Sequence, residues 1–130
     1  MKLRILGNSI RLRLLRNEVS LLGDKQAVQE TTRLGPGADA LLRYSLTTHP
    51  NEDDIRISWK SGSLTVSLQQ ELAQELVDTE RVSIASNLRF GEEELNVLIE
   101  KDFKCLTPRS GEDESDSYEN PQEKHGCGVK

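Results

Sequence analysis

Apolar and polar residues alternate along most of the first hundred positions, and this period of two marks strands with one buried face. Lys2 to Leu6 and Ser9 to Leu14 alternate on either side of Gly7-Asn8, a two-residue loop of the kind that closes a β-hairpin. Ile55 to Lys60 and Ser63 to Val66 repeat the arrangement around Ser61-Gly62. After each hairpin the period lengthens to that of a helix. In the second half, Ser67 and Gln70 have capping-box spacing, and Leu68, Leu72, Ala73 and Leu76 form one apolar stripe with Glu71 and Glu75 turned outward. In the first half, Asn17 is a candidate N-cap, Val19 and Leu22 face inward and Gly23 can end the helix. Two more strands follow each helix, over about 27–33 and 40–48, then about 81–87 and 94–101.

The two halves read as one element used twice. A shift of 54 superposes Leu3 on Ile57, Ile5 on Trp59, Ile10 on Leu64, Leu12 on Val66 and Leu22 on Leu76, and it continues to Val28 on Val82 and Leu41 on Leu95. The expected fold is therefore α+β. It consists of duplicated ββαββ units, copies about 1–48 and 55–101, forming a mostly antiparallel eight-stranded sheet or barrel with two short helices. This domain is expected to span 1–106. Pro108 marks its edge, and residues 107–130 are acidic, Ser- and Gly-rich and almost devoid of aliphatic side chains, the composition of a disordered tail.

Composition narrows the picture. With 35% hydrophobic and only 4% aromatic residues, the core must be aliphatic, with Trp59 and Phe103 expected as its largest members. Met1 to Leu6 lacks the apolar run of a signal peptide, and no stretch is long enough to cross a bilayer. Cys105 and Cys127 lie near or within the tail, where a bridge would close only a short loop, so a reducing, cytoplasmic location is expected. A net charge of −5 argues against nucleic acid as a partner on bulk electrostatics.

Charge is unevenly placed, however. In a hairpin closed by Gly7-Asn8, Ile5 faces Ile10 and Leu3 faces Leu12, which leaves Lys2 opposite Arg13 and Arg4 opposite Arg11 on the other face. The corresponding positions of the second hairpin are Arg56, Ser58, Thr65 and Ser67. Lys2, Arg4, Arg11 and Arg13, joined by Arg43 if strand parity holds, are candidates for binding an anion such as phosphate or carboxylate through forked guanidinium donors. The competing reading is that Glu30, Glu100 or Asp102 on neighbouring strands neutralise the cluster, or that the side chains splay into water. A third possibility is that the acidic run Glu112 to Asp116 folds back and masks it.

No metal or cofactor is expected. His125 and Cys127 supply only two ligands in a Gly-flanked tail, and Glu92 to Glu94 read as a solvated turn. His49-Pro50 reads as the connector between copies, and no nucleophile elbow, phosphate-binding loop or zinc signature is present.

The segments MKLRILGNSIRLRLLRNEV, QETTRLGPG and EKDFKCL ahead of the acidic tail resemble a family of small uncharacterised bacterial proteins, a domain of unknown function. That resemblance covers nearly the whole chain and singles out Asn8, Ser9, Arg11, Arg13 and Glu18, but implies no activity. A looser similarity is to the CYTH-like triphosphate-tunnel phosphohydrolases, whose duplicated strand-helix-strand units close into a basic-lined barrel. The first strand here, Lys2-Leu3-Arg4-Ile5-Leu6, departs from that family's Glu-x-Glu-x-Lys pattern. The expected function is a non-enzymatic binding or interaction module whose basic strand face meets an anionic small molecule or an acidic protein segment. The alternative is a metal-dependent hydrolase of triphosphates or nucleotides. Oligomeric state is left open.

Overall fold

The computed structural model describes residues 1–103; the acidic tail, with Cys105, His125 and Cys127, lies outside the described residues. The described residues form eight strands and two helices, an α+β domain. The first hairpin is β1 (Lys2–Leu6) and β2 (Ser9–Leu14), followed by α1 (Arg16–Gly23). Strands β3 (Val28–Arg33) and β4 (Leu41–His49) complete the first half. The second half is β5 (Ile55–Lys60), β6 (Ser63–Gln69), α2 (Gln70–Asp78), β7 (Ser83–Phe90) and β8 (Glu93–Lys101).

The strands divide into two four-stranded sheets, ordered β1-β2-β8-β7 and β3-β4-β6-β5, so the expected single eight-stranded sheet or barrel is not formed. Each sheet combines one hairpin from each half of the chain. The hairpins themselves are antiparallel, but β2 runs parallel to β8 and β4 parallel to β6. These joins make both sheets mixed rather than mostly antiparallel. Local alternation specifies a hairpin, because its partner is adjacent in sequence; it carries no information about which distant strand completes the sheet.

The constant offset of 54 also fails beyond the helices. Val28 is buried, but Val82 is 47% exposed and the buried residue of β7 is Ile84, 56 positions from Val28. On the fourth strands the buried pair is Leu46 and Ile99, 53 apart. The helix starts shift as well. Ser67 belongs to β6, and Gln69 caps α2 by accepting from the backbone N–H groups of Glu71 (3.0 Å) and Leu72 (3.1 Å). For α1 the side chain of Glu18 turns back to accept from Leu15 N–H at 2.8 Å, so Asn17 is not the cap. Gly91-Glu92 forms a third two-residue hairpin loop, which carries Glu93 and Glu94 into β8 instead of the turn.

Between the sheets lies an aliphatic core. The central strands supply Leu12, Leu14, Leu46, Val66, Leu68, Val97 and Ile99, and the helices close one end with Val19, Leu22, Ala73 and Leu76. Burial falls away from that end. Along β5 it runs from buried Ile55 through half-buried Ile57 to Trp59, 63% exposed; the last inward residue of β1 is Ile5, 60% exposed, and that of β7 is Phe90, 54% exposed. Trp59 and Phe103, expected in the core, are both outside it, Phe103 being 58% exposed. Trp59 has the inward parity but stands at the far end of β5 from the helices, and Phe103 lies beyond the last residue of β8, so neither ring reaches the core.

The helices approach each other closely where α1 ends. A methyl group added at Gly23 would stand 2.6 Å from Cγ2 of Val77. Gly23→Ala is therefore expected to destabilise the fold by about 1–3 kcal/mol in urea denaturation, with much of the loss recovered when Val77→Ala is added. Equal losses in the presence and absence of Val77→Ala would refute this contact as the cause.

Candidate functional site

The register of the first hairpin places Lys2 opposite Arg13 and Arg4 opposite Arg11, the pairing expected from the alternation. The parallel neighbour then supplies carboxylates. Arg13 faces Glu100 across the β2–β8 ladder and donates from Nε at 2.7 Å, while Arg11 Nε lies 3.4 Å from the same carboxylate. Lys2 Nζ pairs with Asp102 at 3.3 Å. Arg4 has no ion pair among the described residues, and Arg43 stands in the other sheet, between Thr31 and Ser63. The structure thus gathers four of the five candidate cations, pairs three of them with two carboxylates, Glu100 of β8 and Asp102 just beyond it, and sets Arg43 apart.

Glu30, a candidate neutraliser of this face, is engaged elsewhere. The Met1 ammonium is buried and contacts the carboxylates of Glu18 and Glu30, the latter at 3.1 Å. Tyr44 Oη makes a long contact of 3.5 Å with the Met1 carbonyl. This network ties the start of β1 to α1, β3 and β4. Burial alone would lower the pKa of the ammonium, but hydrogen bonds and charge from Glu18 and Glu30 outweigh it and raise the pKa above its ordinary 8.0. Burial, then the charges of Glu30 and Glu18, push the Tyr44 hydroxyl up as well.

His49, expected in a connector, ends β4 and is buried. Its Nδ1 accepts from Asn51 N–H at 3.1 Å, and Nε2 has no partner among the described residues.

A further feature of the surface is apolar. Opposite the helices, where the hairpin tips converge, a cleft of about 480 Å³ opens between the sheets. Leu3, Ile5 and Ile10 of the first hairpin face Ile57, Trp59 and Leu64 of the second, with Leu42, Phe90 and Leu95 completing the wall. Every lining residue is apolar, which gives the cleft the character of a site for a guest of low polarity. A second groove, of about 500 Å³, lies between the outer edges of β5 and β7 and shares Ile57 and Phe90 with the cleft. Alternation gives Ile5 and Trp59 the inward parity, and of the two Trp59 was expected in the core. The clue in the sequence was their position as the last inward residue before each turn, farthest from the helices.

Among the described residues no three His, Cys, Asp or Glu side chains gather as a metal site, and none of the helices there is long and apolar enough to cross a membrane. The fold and cleft define a class: a two-sheet α+β domain whose interior is closed by helices at one end and open at the other. The chain belongs to a family of unknown function, DUF7009, whose model matches residues 1–122. No curated protein and no solved structure matches it, and the looser similarity to the triphosphate-tunnel phosphohydrolases is unsupported.

A pH dependence follows from the ammonium network. A group whose pKa is raised on folding stabilises the fold fully below its unfolded pKa, here 8.0, and that contribution disappears as pH rises through the higher folded value. Denaturation midpoints should therefore fall above pH 8, and Glu18→Gln should both lower stability and flatten the fall. An unchanged slope in Glu18→Gln would exclude this network as its source.

Proposed function

We propose that this protein is a non-catalytic binding module that holds an apolar guest in the cleft between its two sheets. The observation that carries this reading is the burial gradient. The same inward-facing rows that form the core continue to Ile5, Trp59 and Phe90, which remain more than half exposed around an apolar cavity. Covering such surface is worth roughly 25 cal/mol per Å² before the costs of association, enough for a small guest to bind without any catalytic group. The relation between Leu3, Ile5, Ile10 and Ile57, Trp59, Leu64, all offset by 54, supports a duplicated unit whose two copies each contribute half of the wall.

Trp59 is the only tryptophan in the chain and stands in the cleft, so it reports occupancy directly. The neutral apolar dye phenylnaphthylamine should quench Trp59 by energy transfer and saturate at one equivalent. Ile5→Glu should weaken the dye by about tenfold while shifting stability by no more than about 0.5 kcal/mol, since Ile5 is largely exposed. Unsaturable quenching, or an unchanged affinity in Ile5→Glu, would refute the cleft as a site.

A second reading concerns the basic face. Arg4 stands opposite Arg11 without a carboxylate of its own among the described residues, which supports weak binding of an anionic molecule or acidic segment there. On this reading Arg4→Gln reduces retention on immobilised polyphosphate and Glu100→Gln increases it. Identical elution of both variants and the parent chain would dismiss it.

A further inference from the structure

Building on the cleft as the binding site, we infer that its guest is an extended peptide segment, which adds as a strand between β5 and β7 and sends alternate side chains inward. β5 is the outer strand of one sheet and β7 of the other, and each pairs on one side only, with β6 and β8 respectively. Their free edges flank the same groove. Main-chain N–H and C=O groups along such edges are a template for another strand.

The groove has the length of a strand. One wall runs from Asp53 to Ile57 and the other from Ser86 to Phe90, so it follows about four residue steps, roughly 13 Å, of extended chain. Its chemistry alternates as a strand does. Ile55, Ile57, Leu88 and Phe90 belong to the inward rows, whereas Arg56 and Arg89 occupy the intervening positions. Direction is compatible too. Both β5 and β7 run from the helix-closed end toward the tips, as shown by Trp59 and Phe90 at their far ends beside the cleft. A single strand antiparallel to one is therefore antiparallel to the other, so one orientation of the guest suits either edge.

The opposite seam, between β1 and β3, offers no equivalent position, because buried Met1 and its contacts with Glu18 and Glu30 fill its helix end. Arg56 is held by Asp53 at 2.8 Å, and Arg89 lies opposite Glu94 in the β7–β8 ladder, so the groove carries no strong net sign. Selection then rests on the alternation of apolar residues in the guest rather than on its charge.

The test is a displayed library of random ten-residue peptides selected on the full chain, with enriched peptides synthesised and measured by Trp59 fluorescence. Enriched sequences should carry an apolar residue at every second position. Binding should slow deuterium exchange along Ile55–Lys60 and Ser83–Phe90 and leave β1 and β3 unchanged. Methylating alternate peptide nitrogens should weaken binding by at least about tenfold, the loss expected when ladder hydrogen bonds are removed. If phenylnaphthylamine fills the cleft but no peptide is enriched, or methylated peptides bind equally well, strand addition is wrong and the apolar cleft survives. Failure of the dye as well removes both. A doubled mass by light scattering, with protection of β5 or β7 in the absence of any peptide, would identify a second copy as the occupant and overturn the inference.

Discussion

The parallel joins between β2 and β8 and between β4 and β6 hold this molecule together. Each sheet is built from one hairpin of either half, so neither half contains a complete sheet or a complete core. The central residues Leu12, Leu46, Val66 and Ile99 are buried only when both joins have formed. Most of the apolar burial is thus tied to contacts between residues far apart in sequence, which makes the domain one cooperative unit. The charged pairs on the strand surface follow from the same joins: Glu100 meets Arg11 and Arg13 because β8 lies beside β2.

The cleft is the other side of this construction. Both helices follow the second strand of a leading hairpin, so both lie at the same end of the two sheets, and Leu22 and Leu76 close it. No element caps the tips among the described residues, and the inward rows continue past the point where side chains from the opposite sheet can meet them. Trp59, Ile5 and Phe90 are the ends of those rows. The seams between the sheets differ as well. One is filled by Met1 with its paired ammonium, and the other contains a groove continuous with the cleft.

Much of the local structure was legible in the chain. Alternation around Gly7-Asn8 and Ser61-Gly62 specified both leading hairpins and their registers, because turn and partner strands are contiguous there. Eight strands and two helices were also readable, with boundaries displaced by a few residues at β6 and β7. What was lost depended on non-local contacts. The offset of 54 carried the second hairpin pairs into a register that burial contradicts, since Ile84 rather than Val82 meets the core. Of the candidate site, the pairing of Lys2, Arg4, Arg11 and Arg13 was readable, but the company of Glu100 and Asp102 and the separation of Arg43 were not.

By itself, the sequence determined which side of every hairpin strand is apolar and which residues face one another across the turns, because the pleat has a period of two and short loops leave one register. Only the tertiary structure decided which hairpins share a sheet and where the inward rows end in solvent. Those outcomes depend on how two sheets and two helices enclose a common volume, and an inward parity is the same for a residue at the centre of that volume, such as Leu12, as for one at its open end, such as Trp59.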